Sequence, residues 1–153
     1  MLPAMDVVDL REFYASRLGI TTRRMILSAL QKHRAGSKGQ SILGMGFAVP
    51  YLDMLGDHAA QKLAFMQARQ GVIHWPEAGA VRSALVDECD LPLLESSIDV
   101  ALVIHGLELT DSPQDMLTEL WRILAPQGRL LLVVPNRRGM WARFDSSPFG
   151  YGQ

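Results

Sequence analysis

The chain has 153 residues, of which 48% are apolar, and this is enough for one domain with a single hydrophobic core. Its formal net charge is −1 and both signs are interspersed, so the composition excludes a strong electrostatic attraction to nucleic acid or to anionic lipid. The single cysteine, Cys89, excludes an internal disulfide and any multi-cysteine metal site, and we expect it to be a buried thiol.

Two helices are predicted ahead of the first strand. Residues 6–18 mix apolar and charged side chains at helical spacing, and the segment closes on Gly19, a residue typical of helix C-caps. Thr21 or Thr22 can then cap a second helix over residues 23–33. The apolar face of this helix is predicted to consist of Met25, Ile26, Ala29 and Leu30.

Strands alternate with helices in the rest of the chain. The predicted strands are 41–43, 62–66, 81–86, 98–104 and 129–135. A short crossover helix is predicted between the first two strands, and a longer helix begins with Ser112 as its cap and ends in the stop signal 125–128. We therefore expect an α/β fold: a doubly wound, mostly parallel, Rossmann-like sheet of about five strands with helices on both faces. Such sheets bind ligands at the carboxyl ends of their strands.

Export, membrane insertion and metal binding are not indicated by the sequence. Residues 1–6 contain no basic stretch followed by an apolar segment, and no apolar run approaches the roughly 18 residues of a membrane span. The four histidines show no i, i+4 pair, so a metal site is not expected. Together with the lone cysteine, these features favour a cytoplasmic protein.

A turn rich in small residues is predicted after the first strand, within the sequence Ile-Leu-Gly-Met-Gly-Phe-Ala at 42–48. Small residues at Gly44, Gly46 and Ala48 let a ligand approach the backbone, and the amides of the next helix can bind a carboxylate or phosphate. A tight turn without a ligand explains the same residues. The dinucleotide fingerprint Gly-x-Gly-x-x-Gly is absent because Val49 takes its third position, which argues against a nicotinamide-dependent dehydrogenase.

Two later segments carry the most specific pattern. Residues 87–100 contain an acid, a short spacer, Leu-Pro, and Ser-x-Asp at the start of an apolar strand. Residues 119–136 begin Glu-Leu-Trp-Arg and continue through Ala-Pro-Gln-Gly into the next strand. In this order and spacing, both segments resemble class I S-adenosylmethionine-dependent methyltransferases of the type 11 kind, and the resemblance covers roughly residues 8–150. In that family the second segment is chiefly architectural, because it caps a helix and leads into the fifth strand.

The resemblance implies S-adenosylmethionine as the cofactor and a set of residues that bind it. Asp87 would accept a hydrogen bond from the adenine amino group, for which a carboxylate is suited. His105 would line the pocket beside the methionine group or act as a base, the alternative being a hydrogen-bonded histidine without a catalytic role. Tyr14 would close over the cofactor, or else pack in the core with Phe13. The implied cofactor-binding residues are Gly44, Gly46, Ala48, Gln67, Asp87, Glu88, His105 and Tyr14.

Several positions depart from the family pattern. The family motif acid-x-Gly-x-Gly-x-Gly places its acid at Gly44 and its glycines at Gly46, Ala48 and Pro50, so the acid and two glycines are replaced. We expect the methyl group of Ala48 to lie beside the ligand path. Gln67 stands near the position where a carboxylate binds both ribose hydroxyls, and its amide can offer one contact.

The expected organisation is a single methyltransferase-like domain. It would have N-terminal helices in 1–39, a cofactor-binding core in 40–136 and a connector in 137–153. The family's last two strands, an antiparallel hairpin, have no counterpart in this sequence. We therefore expect either a fragment, or a fifth-strand edge that an oligomer or partner subunit covers.

The resemblance implies methyl transfer from S-adenosylmethionine to an acceptor that the sequence does not identify. The alternative is a methyltransferase-like binding or partner subunit without catalytic activity, since the first motif is degenerate. Transfer from a sulfonium mainly requires that donor and nucleophile be held in line, so no catalytic residue is assigned. The expected partners are the small-molecule cofactor and this acceptor, with no nucleic acid and no membrane.

Overall fold

The computed structural model describes residues 7–33, 39–55 and 58–135. The helices are α1 (Val7–Ala15), α2 (Arg17–Lys32), α3 (Val49–Leu55) and α4 (Pro113–Ile123), and a short 3₁₀ turn covers Leu107–Leu109. The strands are β1 (Ser41–Gly46), β2 (Gln61–Gln67), β3 (Ser83–Val86), β4 (Ile98–Ile104) and β5 (Leu124–Val133). The connector expected over 137–153 lies outside the described residues. Within the described ranges, no helix is both long enough and apolar enough to cross a membrane.

The five described strands form one parallel sheet in the order β3-β2-β1-β4-β5. Nearly unbroken apolar runs such as 98–104 are typical of strands that are covered on both faces. The prediction of a doubly wound, Rossmann-like sheet is therefore confirmed. Since β1 pairs with β2 on one side and with β4 on the other, the strand order reverses at β1, and ligands bind such sheets at this point.

Helices cover both faces of the sheet, as predicted. Side chains alternate along β1, so Leu43 and Met45 join the core beneath α4, whereas Ile42 joins the core beneath the other three helices. For the helix predicted after Ser112, helical spacing places Met116, Leu117, Leu120, Ile123 and Leu124 on one face. Helix α4 confirms this stripe up to Ile123, whereas Leu124 already begins β5. Its fully buried residues are Met116, Leu120 and Ile123.

The boundary between the first two helices differs from the prediction. The break falls at Ser16 and not at Gly19, because the Ser16 hydroxyl accepts a hydrogen bond from the Gly19 amide at 3.1 Å and so caps α2. Thr21 and Thr22, which were predicted as caps, lie inside α2. Their hydroxyls donate to backbone carbonyls four residues earlier, the mid-helix alternative to capping.

The buried face of α2 also differs from the prediction. Leu27 and Leu30 are buried and Ile26 is partly buried, whereas Met25 is 67% exposed and Ala29 is exposed. Three apolar residues in succession, 25–27, are compatible with two neighbouring faces of a helix. Packing against α1 and α3 selects between these faces, and helical spacing alone does not.

Strand β1 continues beyond its predicted end. A turn was predicted from Gly44, but Gly44, Met45 and Gly46 all pair with β4. A methyl group at Gly44 would lie 2.8 Å from Cβ of Ala48 and from the side chain of Leu52, so glycine here lets α3 lie directly on the strand. The expectation that the Ala48 methyl borders a ligand path is wrong, because this residue is 1% exposed and faces Gly44.

Gly46 ends β1 in a left-handed conformation, with φ of 73°. A methyl group there would overlap the carbonyl oxygen of Ile104 and lie 3.0 Å from the Gly106 amide nitrogen. The next amide, that of Phe47, donates to the same Ile104 carbonyl at 2.7 Å. Glycine is therefore required because the ends of β1 and β4 approach each other closely.

The Glu-x-x-Arg segment lies at the end of α4, directly before β5, in agreement with its expected architectural role, and it makes a further structural contact. Glu119 on α4 accepts a hydrogen bond from the Leu91 amide at 2.8 Å, and Arg122 donates to the carbonyls of Leu91 and Leu93. The hydrogen bond from Arg122 is the main reason that the pKa of Glu119 lies below its ordinary value. The pair therefore fastens the loop that precedes β4 to helix α4.

Replacing Gly46 with alanine tests the close approach of β1 and β4. We expect Gly46→Ala to lower the free energy of unfolding by about 3 kcal/mol, because the new methyl group adds overlap to an unfavourable φ. Gly39 is the matched control: its φ is 75°, and no described atom lies within 4 Å of the added methyl group. Gly39→Ala should therefore cost only about 1 kcal/mol. Urea denaturation measures both, and equal losses would contradict the proposed overlap.

Candidate functional site

The carboxyl ends of β1, β2 and β4 meet at a cluster of buried polar and aromatic side chains. Tyr14 comes from α1, Gln67 ends β2, and His105 follows β4; they are 8%, 2% and 3% exposed. Phe47, just after β1, and Tyr51, in α3, complete the cluster and are also buried. The structure thus brings together three of the residues predicted from the sequence, at the edge where such sheets bind ligands.

Tyr14 is the link between the N-terminal helices and this edge. Its hydroxyl lies 2.7 Å from Nε2 of His105 and 2.7 Å from the hydroxyl of Tyr51. Its ring stacks on Phe47 with centroids 5.4 Å apart and meets Phe13 edge to face. The ring therefore packs in the core beside Phe13, as one interpretation has it, and the hydroxyl reaches this edge of the sheet, whereas closure over a cofactor stays a prediction.

Burial keeps both tyrosine hydroxyls protonated. Burial raises the pKa of Tyr51 to about 12, and it is also the largest cause of a pKa of Tyr14 far above the ordinary value. The three groups can then form one directional chain, in which Tyr51 donates to Tyr14 and Tyr14 donates to Nε2 of His105. His105 itself has a left-handed backbone, with φ of 53°, at the point where the chain leaves β4.

Two glutamines hold the segment that follows β4. The Gln67 amide nitrogen donates to the Gly106 carbonyl at 3.1 Å, and the Gln70 amide nitrogen donates to the His105 carbonyl at 3.2 Å. The expected amide contact of Gln67 is thus made with the protein itself. The Oε1 atoms of both glutamines are buried, and no described residue donates a hydrogen bond to them. Gln70 was not predicted from the sequence, although a polar residue three positions beyond a strand end is the signal that could have indicated it.

Glu108 adds a carboxylate to the same segment. Its side chain is 11% exposed, and Oε1 lies 3.5 Å from Nδ1 of His105, on the side of the ring away from Tyr14. Both carboxylate oxygens are buried, and no described residue donates a hydrogen bond to either of them. The resemblance implies that the segment 105–108 lines the cofactor pocket, but no contact was predicted for the Glu108 side chain itself. Its acceptor atoms and those of the two glutamines surround the segment 105–108.

Asp87 lies on the same edge but outside this buried cluster. It is exposed at the end of β3, and its Oδ1 atom accepts a hydrogen bond from the Cys89 amide at 2.9 Å. Two strand spacings separate β3 from β1, or about 10 Å. Glu88 is half-buried beside it, and Cys89 is half-buried, not buried as predicted. Partial burial, followed by the nearby acids, raises the pKa of the Cys89 thiol.

The remaining predicted residues belong to the packing of β1. Gly46 lies next to the cluster because the position of its missing side chain is 3.1 Å from Cα of Gly106. Gly44 and Ala48 contact each other beneath α3. Over the part of the chain that the structure describes, no group of three or more His, Cys, Asp or Glu residues is arranged to hold a metal ion.

A family model matches the part of the chain that carries these residues. Residues 43–132 match the model of a methyltransferase domain, type 11. The chain belongs to the type 11 methyltransferase family. S-adenosylmethionine is the cofactor that this family assigns, in agreement with the expectation from the motifs. No match to the chain is found among curated proteins.

Solved methyltransferase structures share the fold. An S-adenosylmethionine-dependent methyltransferase from Thermotoga maritima aligns with TM-score 0.53 and 21% identity over 76% of this chain and 53% of that one. A protein described as a methyltransferase, in complex with the Trm112 methyltransferase activator of Haloferax volcanii, aligns with TM-score 0.56 and 20% identity over 70% and 51%. One from Mesorhizobium loti aligns with TM-score 0.50 and 18% identity over 67% and 49%. The chain spans about half the length of these proteins, and such identities establish the fold alone.

The residues at this edge fit the family's cofactor. S-adenosylmethionine presents hydrogen-bond donors along its length, namely the amino group of adenine, two ribose hydroxyls and the ammonium of the methionine group. The edge presents buried acceptors with no donor among the described residues, on Gln67, Gln70 and Glu108, and an exposed carboxylate on Asp87. Buried polar groups are normally hydrogen-bonded. A ligand with several donors could therefore make the hydrogen bonds that the described residues do not make to these acceptors.

The buried tyrosines predict a loss of stability at high pH. Their folded-state pKa values exceed the ordinary value of 10.0, so the unfolded chain ionises first and stability falls as pH rises from about 10 through the folded-state pKa. Between pH 9 and pH 11, we expect the chain to lose about 2 kcal/mol more of its free energy of unfolding than the double variant Tyr14→Phe/Tyr51→Phe. Urea denaturation at each pH measures this. Parallel curves for the two proteins over that range would refute it.

Proposed function

We propose that this chain binds S-adenosylmethionine across the carboxyl ends of β1–β4 and transfers its methyl group to an acceptor. The proposal rests on the buried acceptor atoms around 105–108 that receive no hydrogen bond from any described residue, in a chain that belongs to a methyltransferase family. The acceptor molecule is not identified by any residue described above.

Each part of the cofactor has a candidate partner. The exposed carboxylate of Asp87 would accept a hydrogen bond from the adenine amino group through Oδ2, since its Oδ1 atom already accepts one from the Cys89 amide. Oε1 of Gln67 would accept from a ribose hydroxyl, because its amide nitrogen is already bonded to Gly106. The methionine group would lie near Gly46 and His105, next to the segment that follows β4.

The chemistry requires alignment more than proton transfer. The bound cofactor supplies a methyl group on a positively charged sulfur, which a nucleophile displaces in line. The residues of this chain would orient the donor and exclude water, with Tyr14 and Phe47 closing the site from the side of α1. A general base is needed only where the nucleophile carries a proton to lose, so no residue is assigned that role.

A second candidate function is that of a partner subunit without turnover. Among the described strands, β5 lies at the edge of the sheet and carries apolar side chains on its surface. Leu132 is 40% exposed, and Val134, just beyond the strand, is 51% exposed. Natural proteins usually cover such an edge. One related structure is a complex between a methyltransferase-like chain and an activator protein, which supports a covering partner on this chain as well.

Calorimetric titration of the chain with S-adenosylmethionine tests cofactor binding and the role of Asp87. We expect binding by the native sequence and about tenfold weaker binding by Asp87→Asn, because the amide presents a donor to the adenine amino group. The substitution keeps Oδ1, so the Cys89 hydrogen bond survives. Asp90→Asn is the matched control, since it removes the same charge from an exposed position in the same turn. Equal weakening in both variants would exclude a specific contact by Asp87.

Transfer of a labelled methyl group separates the two candidate functions. We expect label from S-adenosylmethionine to appear in a small molecule or macromolecule of a cell extract when the chain is added, and not when boiled chain is added. Cofactor binding without any transfer would support the partner subunit and contradict the enzyme. Absence of binding at millimolar cofactor would contradict both the enzyme and a cofactor-binding subunit.

A further inference from the structure

Among the residues that the structure describes, Glu108 is the one carboxylate within the buried cluster at the end of β4. Its two oxygens are shielded from solvent, and no described residue donates a hydrogen bond to them. Over the described ranges, the one group within 4 Å that can carry a positive charge is the His105 ring. Its Nδ1 atom lies 3.5 Å from Oε1 of Glu108, beyond the distance of a charge-assisted hydrogen bond.

Such a carboxylate is costly for the folded protein. A buried acid normally has a close cation or several hydrogen-bond donors. Without them, the free-energy cost of desolvating the carboxylate exceeds the favourable energy of its remaining contacts. Glu108 has one long contact, and Tyr14, which could donate, is engaged on the other side of the imidazole. A residue in this state is typical of a site whose partner is a ligand.

The surrounding atoms restrict what that ligand group is. Oε1 of Gln67 and Oε1 of Gln70 are also buried acceptors without described donors, and both glutamines bond to the 105–106 backbone. A ligand group that binds Glu108 must donate hydrogen bonds, because a carboxylate only accepts them, and the negative charge of the carboxylate favours a cation. An ammonium, with three donors and one positive charge, meets these conditions.

We propose that Glu108 binds the α-ammonium of the cofactor's methionine group, and this rests on the proposed binding of S-adenosylmethionine. The position where the family has an acid is occupied by Gly44, whose missing side chain is replaced by the contacts of α3. Strand β1 of this chain thus lacks the family's acid, and Glu108, which follows the adjacent strand β4, supplies a carboxylate in its place.

Two ligands distinguish the ammonium from the rest of the cofactor. S-adenosylhomocysteine carries the ammonium but has a neutral sulfur, and 5′-methylthioadenosine lacks the whole amino-acid group. We expect Glu108→Gln to weaken the binding of S-adenosylhomocysteine and of S-adenosylmethionine by about tenfold or more, and to leave the binding of 5′-methylthioadenosine within about twofold. Glu108→Asp keeps the charge on a shorter chain and should lose less than Glu108→Gln. Calorimetric titration measures all three ligands.

A matched control and a stability measurement exclude a merely structural role. Glu77→Gln is the matched control, because it removes one negative charge from an exposed position. Glu77 lies near the start of β3, at the edge of the sheet, since the amide of the nearby Trp75 donates a hydrogen bond to Ser83. Glu77→Gln should leave all three affinities unchanged. Without ligand, Glu108→Gln should be at least as stable to urea as the native sequence, because it removes a buried charge with one long contact.

The outcomes separate this proposal from the one on which it rests. If the native sequence binds none of the three ligands, the proposed function fails and Glu108 has no ammonium to bind. If the native sequence binds them but Glu108→Gln changes no affinity, or weakens all three equally, the proposal for Glu108 alone is overturned. A selective loss for S-adenosylmethionine but not for S-adenosylhomocysteine overturns it as well, because the sulfonium would then be the partner.

Discussion

The close approach of β1 and β4 at their carboxyl ends is the constraint on which the rest of this structure depends. The amide of Phe47 donates a hydrogen bond to the carbonyl of Ile104. That carbonyl occupies the space that a side chain at position 46 would need, so the residue there is glycine. The same contact turns the chain out of β4 into His105 and brings α3 directly after β1. The sheet's reversal point and the candidate site are therefore produced by one packing arrangement.

A buried polar cluster follows from this arrangement and joins the N-terminal helices to the sheet. Tyr14 reaches His105 and Tyr51, and the glutamines after β2 bond to the backbone after β4. Such a network is stable only where its members are satisfied, and the acceptor atoms around 105–108 are the places where it is incomplete. The incomplete part lies at the carboxyl ends of the strands, the edge where sheets of this kind bind ligands.

The chain keeps the family's architecture while changing the chemistry of the first motif. Gly44 and Ala48 stand where the family has an acid and a glycine, and both serve the packing of α3 on β1. Among the acidic groups of the described residues on this edge are a buried carboxylate after β4, at Glu108, and an exposed one after β3, at Asp87. A carboxylate after β4 can stand in for the acid that the family has on β1, because the carboxyl ends of β1 and β4 are adjacent in the sheet.

The sequence by itself determined the sheet, the α4 stripe and the family. Apolar runs such as 98–104 and the helix signals around Ser112 act locally, so their pattern is visible without tertiary contacts. The start of α2, its buried face and the true end of β1 were decided only in the tertiary structure, because each depends on which neighbour packs against it. Glu108 and Gln70 were missed for the same reason. The burial of these side chains and the lack of a described donor depend on which residues pack around them in the fold. The spacing of residues along the chain does not contain this information.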